Sequence, residues 1–174
     1  MIFERTPLEG LYLLKPNILR DQRGLFVRTF CKREFAKIGF NKEFVQFNHS
    51  FSSKKGTLRG MHFQLAPFTE TKLIRCVEGR VWDVAVDLRK DSETYLKHFG
   101  LELSKENMFS ILIPDGFAHG FQTLEDNSAL IYHHTEYYTP KVDSGIRYND
   151  PVLDIHWPLP VSSISEKDAK YSSL

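Results

Sequence analysis

The sequence predicts a mainly β protein, an antiparallel sandwich or barrel with little helix, and three observations carry this. Apolar and polar residues alternate with period two through the middle of the chain. Segments of strand length recur at close spacing and are separated by turn residues. Aromatic residues make up 13% of the chain, fourteen of them Phe, and β-strands accommodate such side chains well.

The expected strands, in order, are Leu11–Lys15, Leu25–Phe30, Phe44–Phe51, Leu58–Gln64, Lys72–Val77, Val81–Leu88, Phe99–Leu103, Phe109–Ile113, His119–Thr123 and Leu130–Glu136. Turn signals divide them at Lys55-Gly56, Glu78-Gly79, Pro114-Asp115-Gly116 and Glu125-Asp126-Asn127. In Val81–Leu88, one face carries Trp82, Val84, Val86 and Leu88, and the other carries Val81, Asp83, Ala85 and Asp87. Two carboxylates on one face indicate a half-polar interior or an exposed face, not a parallel-sheet core. Helix is expected only over Arg33–Ile38 and Ser165–Lys170, the second opened by Ser165 as N-cap with acids in its first turn.

No repeat or linker divides the chain, so residues 1–174 read as one domain. A net charge of +1 gives no reason to expect nucleic acid or a membrane surface as partner. Two cysteines, Cys31 and Cys76, are too few for a disulfide framework and read as reduced thiols. Met1 to Lys15 lacks the basic and apolar regions of a signal peptide, and no apolar stretch reaches about 18 residues. These features lead us to expect a cytoplasmic enzyme or binding protein.

Two motifs narrow the barrel type. Gly56 is followed after five residues by His62-Phe63-Gln64, and a second motif reads Pro114-Asp115-Gly116-Phe117-Ala118-His119. Both resemble the paired motifs of cupins, double-sheet jelly rolls whose two motifs face each other inside the barrel. Metal-binding cupins carry His-x-His in the first motif, because a spacing of two puts both side chains on one face of a strand. Here Gln64 replaces the second His, and Gln is a weak ligand for a transition metal. A metal reading would have to combine His62 and His119 with Glu70 or His134. Proton transfer is the alternative for His62, since an imidazole titrates near neutrality and works as a base when a partner fixes its tautomer. Strict alternation in Leu58–Gln64 puts Leu58, Gly60, His62 and Gln64 on the interior side.

The chain also resembles the dTDP-4-dehydrorhamnose 3,5-epimerases over nearly its whole length. The resemblance runs through Asp21–Phe26, Gln46–Ser52, Gly56–Gln64, Lys72–Arg75, Asp83–Arg89 and Ile113–Phe121. It continues in Tyr132, Tyr137-Tyr138, Asn149–Pro151, Trp157-Pro158 and Ser165–Asp168. It implies a homodimer formed by strand exchange, acting without metal or organic cofactor on a nucleotide-linked 4-keto-6-deoxy hexose. The implied roles are His62 as base, Asp168 as its orienting carboxylate, Lys72 facing the enolate oxygen and Tyr132 returning a proton on the opposite face. It also places Arg59, Gln46, Asn48, His119 and Tyr138 near the sugar and diphosphate. Arg23 and Arg75 are further candidates for the diphosphate, because guanidinium matches phosphate oxygens. Phe26 is assigned to stacking on the base, in the neighbouring subunit.

Departures from the family pattern concern the substrate. Arg28 stands where Glu is usual and leaves the nucleotide carrier open, dTDP or another. Asp143, a candidate substrate contact, stands where Glu is common, and His133-His134 follow Tyr132 where Lys and a small residue are more frequent. Three rival readings stay open at this point: epimerisation at C3 alone, a metal-dependent cupin, and a non-catalytic sugar-nucleotide-binding cupin.

Overall fold

Two antiparallel sheets enclose the principal core in the computed structural model, which describes residues 1–174. The chain opens with β1 (Ile2–Arg5), β2 (Tyr12–Lys15), β3 (Ile18–Asp21) and β4 (Gly24–Val27). A short helix α1 (Lys32–Phe35) and a 3-10 turn (Ala36–Ile38) follow. Then come β5 (Gln46–Ser52), β6 (Leu58–Gln64), β7 (Lys72–Glu78), β8 (Arg80–Asp87), β9 (His98–Ser104) and β10 (Ser110–Ile113). The last elements are β11 (Phe117–Thr123), β12 (Ser128–His134), β13 (Asp143–Gly145) and α2 (Glu166–Ala169). One sheet has the order β1-β2-β10-β7-β12-β5, the other β13-β6-β11-β8-β9. This is the double-sheet jelly roll that the two motifs imply. No helix is long and apolar enough to cross a membrane.

Every expected strand is present, with ends moved by a few residues, and both expected helical segments form. Three strands were not expected. β1 pairs with β2, and β13 pairs with β6 through only three residues. β3 pairs with β4 as a two-stranded ribbon that joins neither large sheet.

The alternation of β8 now has a physical meaning. Val81, Asp83, Ala85 and Asp87 all lie on the barrel interior with no accessible surface. Val81 and Ala85 pack with Ile74, Ile111, Phe121 and Leu130 from both sheets. The opposite face is covered as well: Val84 and Val86 lie under Ile146, Leu153, Ile155 and Trp157 of the C-terminal segment. On the far side, Leu14, Leu73 and Leu112 of the six-stranded sheet pack on Phe35 of α1.

Asp87 illustrates how a buried charge is kept. It accepts hydrogen bonds from Arg89 Nε at 2.9 Å and Nη2 at 2.7 Å, and from the hydroxyls of Ser92 and Thr94 at 2.6 Å each. Burial opposes its ionisation, yet these donors hold its carboxyl well below the usual carboxylate range. A folded value below the unfolded one, about 3.9, stabilises the fold at neutral pH and ceases to do so as acid protonates the group. Asp87→Ala is expected to destabilise the protein by about 3 kcal/mol at pH 7, the low end for a buried pair because Arg89 is part-exposed. Urea unfolding at pH 7 and at about pH 3 checks this, since the difference between variant and parent should shrink at the lower pH.

The principal correction to the sequence reading is in β6. Arg59 pairs with Phe121 and His62 with His119, so three steps along β6 match two along β11. This bulge at Gly60 breaks the alternation. Arg59, not Leu58, therefore shares the pocket face with His62, while Leu58 pairs with Gln122, whose amide reaches the C-terminal segment at Leu159. Gly60 has φ +135°, and a Cβ there would lie 2.5 Å from Gly120 Cα, so only glycine permits the approach of the two strands.

Candidate active site

The pocket that contains His62 lies between the two sheets and has a volume of about 280 Å3. One wall comes from β6 and β11, with Arg59, His62, Gln64, His119 and Phe121. The other comes from β5, β7 and β12, with Asn48, Lys72, Tyr132 and His134. Asp143, Tyr138 and Lys167 line the same space.

His62 and Asp168 meet at 2.9 Å through Nε2 and Oδ1, which leaves Nδ1 free of protein hydrogen bonds. Of the two side chains, 36% of His62 is accessible but only 6% of Asp168. The imidazole is thus open to a ligand while its partner is shielded. Asp168 is held from two further directions: its other oxygen accepts the Gly60 N–H at 3.1 Å, and its own N–H donates to Ser165 Oγ at 3.0 Å. The N-cap expected at Ser165 therefore exists, and it also anchors the carboxylate beside His62. Burial opposes ionisation of Asp168, but the bonds from His62, Gly60 and Ser165 keep its carboxyl below the usual range. An ionised Asp168 favours a proton on Nε2 and stabilises the imidazolium formed when Nδ1 takes another.

Lys72 is almost buried, with Nζ 3.3 Å from the His62 carbonyl and 3.2 Å from Glu70 Oε1. Tyr132 projects from the wall opposite His62. Burial pushes its phenol far above the ordinary tyrosine value, with Asp83 adding to the shift, so it holds its proton. His119 bonds Asp83 at 2.9 Å; burial lowers its pKa and outweighs the carboxylate, keeping the ring neutral. The arrangement thus presents a supported imidazole and a protonated phenol from facing walls, with an ammonium nearby.

The family model described as dTDP-4-dehydrorhamnose 3,5-epimerase matches residues 5–174. The chain belongs to this family. It is 44% identical to the dTDP-4-dehydrorhamnose 3,5-epimerase of Methanothermobacter thermautotrophicus over 175 residues, covering 99% of this chain and 94% of that one. The crystal structure of the Bacillus anthracis dTDP-4-dehydrorhamnose 3,5-epimerase, with TDP and PPi bound, superposes with a TM-score of 0.97 at 40% identity, covering 99% of both chains. A Legionella pneumophila dTDP-6-deoxy-D-glucose-3,5-epimerase in complex with dTDP-4-keto-L-rhamnose gives 0.94 at 39% identity, covering 99% of this chain and 92% of that one.

Within this family frame, the structure gathers His62, Lys72, Tyr132 and Asp168 around one pocket, with Asn48, Arg59, His119, Tyr138 and Asp143 on its lining. Arg59 is fixed by bonds to Ser52 Oγ at 3.1 Å and the Phe51 carbonyl at 3.0 Å. Gln46 lies just behind the lining and accepts the Tyr138 N–H at 3.0 Å. Asp143 accepts the Tyr138 hydroxyl at 3.1 Å and pairs with Lys167, so its shorter side chain remains in the site. Arg23 and Phe26 are not brought to the pocket of their own chain. Both sit on the β3–β4 ribbon, where Arg23 bonds Asp21 at 2.6 Å and Phe26 is 67% exposed. Arg75 lies outside the pocket too, on the outer face of its sheet. Arg28 bonds Glu34 of α1 at 2.7 Å, away from the pocket lining.

Nothing in the sequence singles out Lys167, and the lining also includes Glu70 and His134, the alternative third ligands of the metal reading, His134 being a departure from the family pattern as well. His62, His119 and His134 each face a separate carboxylate, Asp168, Asp83 and Glu70, and no three His, Cys, Asp or Glu side chains converge. Of these contacts, Asp83 had a signal in the alternation of its strand, whereas the Glu70–His134 contact joins residues far apart in sequence and had none.

Proposed function

We propose that this chain, as one cupin domain, inverts C3 and C5 of a dTDP-linked 4-keto-6-deoxy hexose, giving the 4-dehydrorhamnose configuration. The observation that carries this is the placement of the His62–Asp168 pair and the Tyr132 phenol on opposite walls of one pocket. Inversion requires a proton to leave one face of a carbon and another to arrive on the opposite face.

The ketone at C4 makes the C3 and C5 protons acidic. His62 takes the proton at Nδ1, and the C–H electron pair moves into an enolate whose charge rests on the C4 oxygen. Lys72 supplies a fixed positive charge at that oxygen. Tyr132 then donates its O–H proton to the carbon from the other side. Solvent removes the proton from His62 and restores that of Tyr132, so no atom is gained or lost. Arg59, Asn48 and Tyr138 hold the sugar and diphosphate, with His119 beside them. Both centres flank the same ketone, so one set of groups serves both.

The nucleotide end is completed in a homodimer, with Arg23 and Phe26 of the ribbon reaching the partner's pocket. Support comes from the ribbon's separation from both sheets and from its exposed Leu19, Leu25 and Phe26. Phe47 and Phe51 on edge strand β5 are likewise uncovered, an apolar surface suited to a second copy. The free thiols Cys31 and Cys76, the latter pushed up to about 12 by burial, fit a reducing cytoplasm.

Incubation with dTDP-4-keto-6-deoxyglucose, followed by borohydride reduction and sugar analysis, tests the reading. Inversion at both carbons is expected. Inversion at C3 alone makes the protein a 3-epimerase, and unchanged sugar contradicts the proposal.

A further inference from the structure

His134 occupies an unusual position for a residue outside the reacting set. Its Nδ1 lies 2.6 Å from Glu70 Oε2, and Glu70 Oε1 lies 3.2 Å from Lys72 Nζ. Its Nε2 lies 3.2 Å from Asn48 Nδ2, and Asn48 Oδ1 in turn accepts from Gln46 Nε2 at 3.4 Å. With the Asn48 oxygen engaged by Gln46, its amide N–H groups face His134. The His134 Nε2 must then accept, and the ring proton sits on Nδ1, donated to Glu70. The donors run in one direction along the chain Gln46, Asn48, His134, Glu70. The His134 ring also lies nearly parallel to the Tyr132 ring, 5.9 Å apart at 13°. His134 and Glu70 expose only 9% and 10% of their side chains, so solvent does not loosen the contact.

We propose that the Glu70–His134 pair is a positioning unit that holds the Lys72 ammonium and the Tyr132 phenol in fixed relation to each other. This rests on the epimerase reading above and adds residues to it. The negative Glu70 carboxylate steers Lys72, while His134 fixes that carboxylate and packs on the phenol. Burial opposes the charge on Glu70, yet the His134 bond and Lys72 keep its carboxyl below the usual range, as a steering anion requires. Without His134, Glu70 loses its second anchor and Tyr132 a packing face, so the enolate forms less readily and is reprotonated from the wrong side more often. Return of a proton from His62 gives exchange without inversion, an outcome that a purely structural residue does not favour.

The test uses the full-length protein with dTDP-4-keto-6-deoxyglucose in D2O, following deuterium at C3 and C5 together with the configuration at each carbon. His134→Ala is expected to lower kcat by about 10–100-fold with KM changed less than about twofold, in line with small misplacements of catalytic groups. The ratio of deuterium incorporated to carbon inverted should rise several-fold. His134→Asn, which keeps an N–H near the place of Nδ1, should restore most of both, whereas Glu70→Gln should lower kcat as His134→Ala does. Loss of rate with an unchanged ratio in all three variants, or parental kinetics in a folded His134→Ala, overturns the inference. Absence of exchange in the unsubstituted protein overturns the epimerase reading, and this inference with it.

Discussion

His62→Ala is expected to lower epimerisation by about 10²–10⁴-fold, the usual worth of a positioned general base. The pocket offers no ready substitute. His119 is committed to Asp83 and held neutral deep in the barrel, and His134 has its two nitrogens directed to Glu70 and Asn48. His62 combines a nitrogen free of protein bonds and a shielded carboxylate behind the ring with an accessible side chain, 36% exposed against 5% for His119. Substrate affinity should change little, because Arg59, Asn48 and Tyr138 remain. Steady-state kinetics will therefore show the loss in kcat with KM nearly constant. Melting temperature should also stay near the parental value, since the half-exposed ring contributes little to the core. Removing it does leave the buried Asp168 with two of its three holds, the Gly60 N–H and the Ser165 cap.

Lys72→Ala is expected to cost about 10²–10³ in kcat, as for removal of a preorganised group from a developing oxyanion. Its effect differs in kind from that of His62→Ala. The base remains, but proton abstraction yields an enolate whose charge has lost its fixed counter-charge. Exchange and inversion should fall together in this variant, because both pass through the same enolate. A fall in inversion alone would place Lys72 on the reprotonation side and remove it from the oxyanion. Lys72→Arg restores charge but not shape, since a planar guanidinium does not fit beside Glu70 and the His62 carbonyl as an ammonium does. It should recover only part of the rate.

Much of this architecture was legible in the chain itself, and the reasons are local. Period-two alternation in β8 and the turn signals at Glu78-Gly79 and Pro114–Gly116 reflect pleat geometry and backbone preference, which act over a few residues. The Ser165–Asp168 spacing carried a cap that also turned out to fix the carboxylate beside His62. The bulge at Gly60 was not legible, because it depends on the approach of β11 at Gly120, sixty residues away in sequence. That single extra residue decides that Arg59 faces the pocket. β13 was missed for a related reason: its three residues, Asp143 to Gly145, have no periodicity of their own and form only by pairing with β6. Glu70 and His134 were seen as polar groups without assignment, since whether they bind a metal or each other depends on register between β7 and β12.

In the proposed reaction His62 removes a carbon-bound proton on either side of the ketone. This step is tested most directly by NMR of dTDP-4-keto-6-deoxyglucose in D2O with the parental protein and with His62→Ala, each with and without chelator. Deuterium is expected at both C3 and C5 with the parental protein, at a rate unaffected by chelator, and at a rate lower by about 10²–10⁴-fold with His62→Ala. Undiminished exchange in His62→Ala would contradict it.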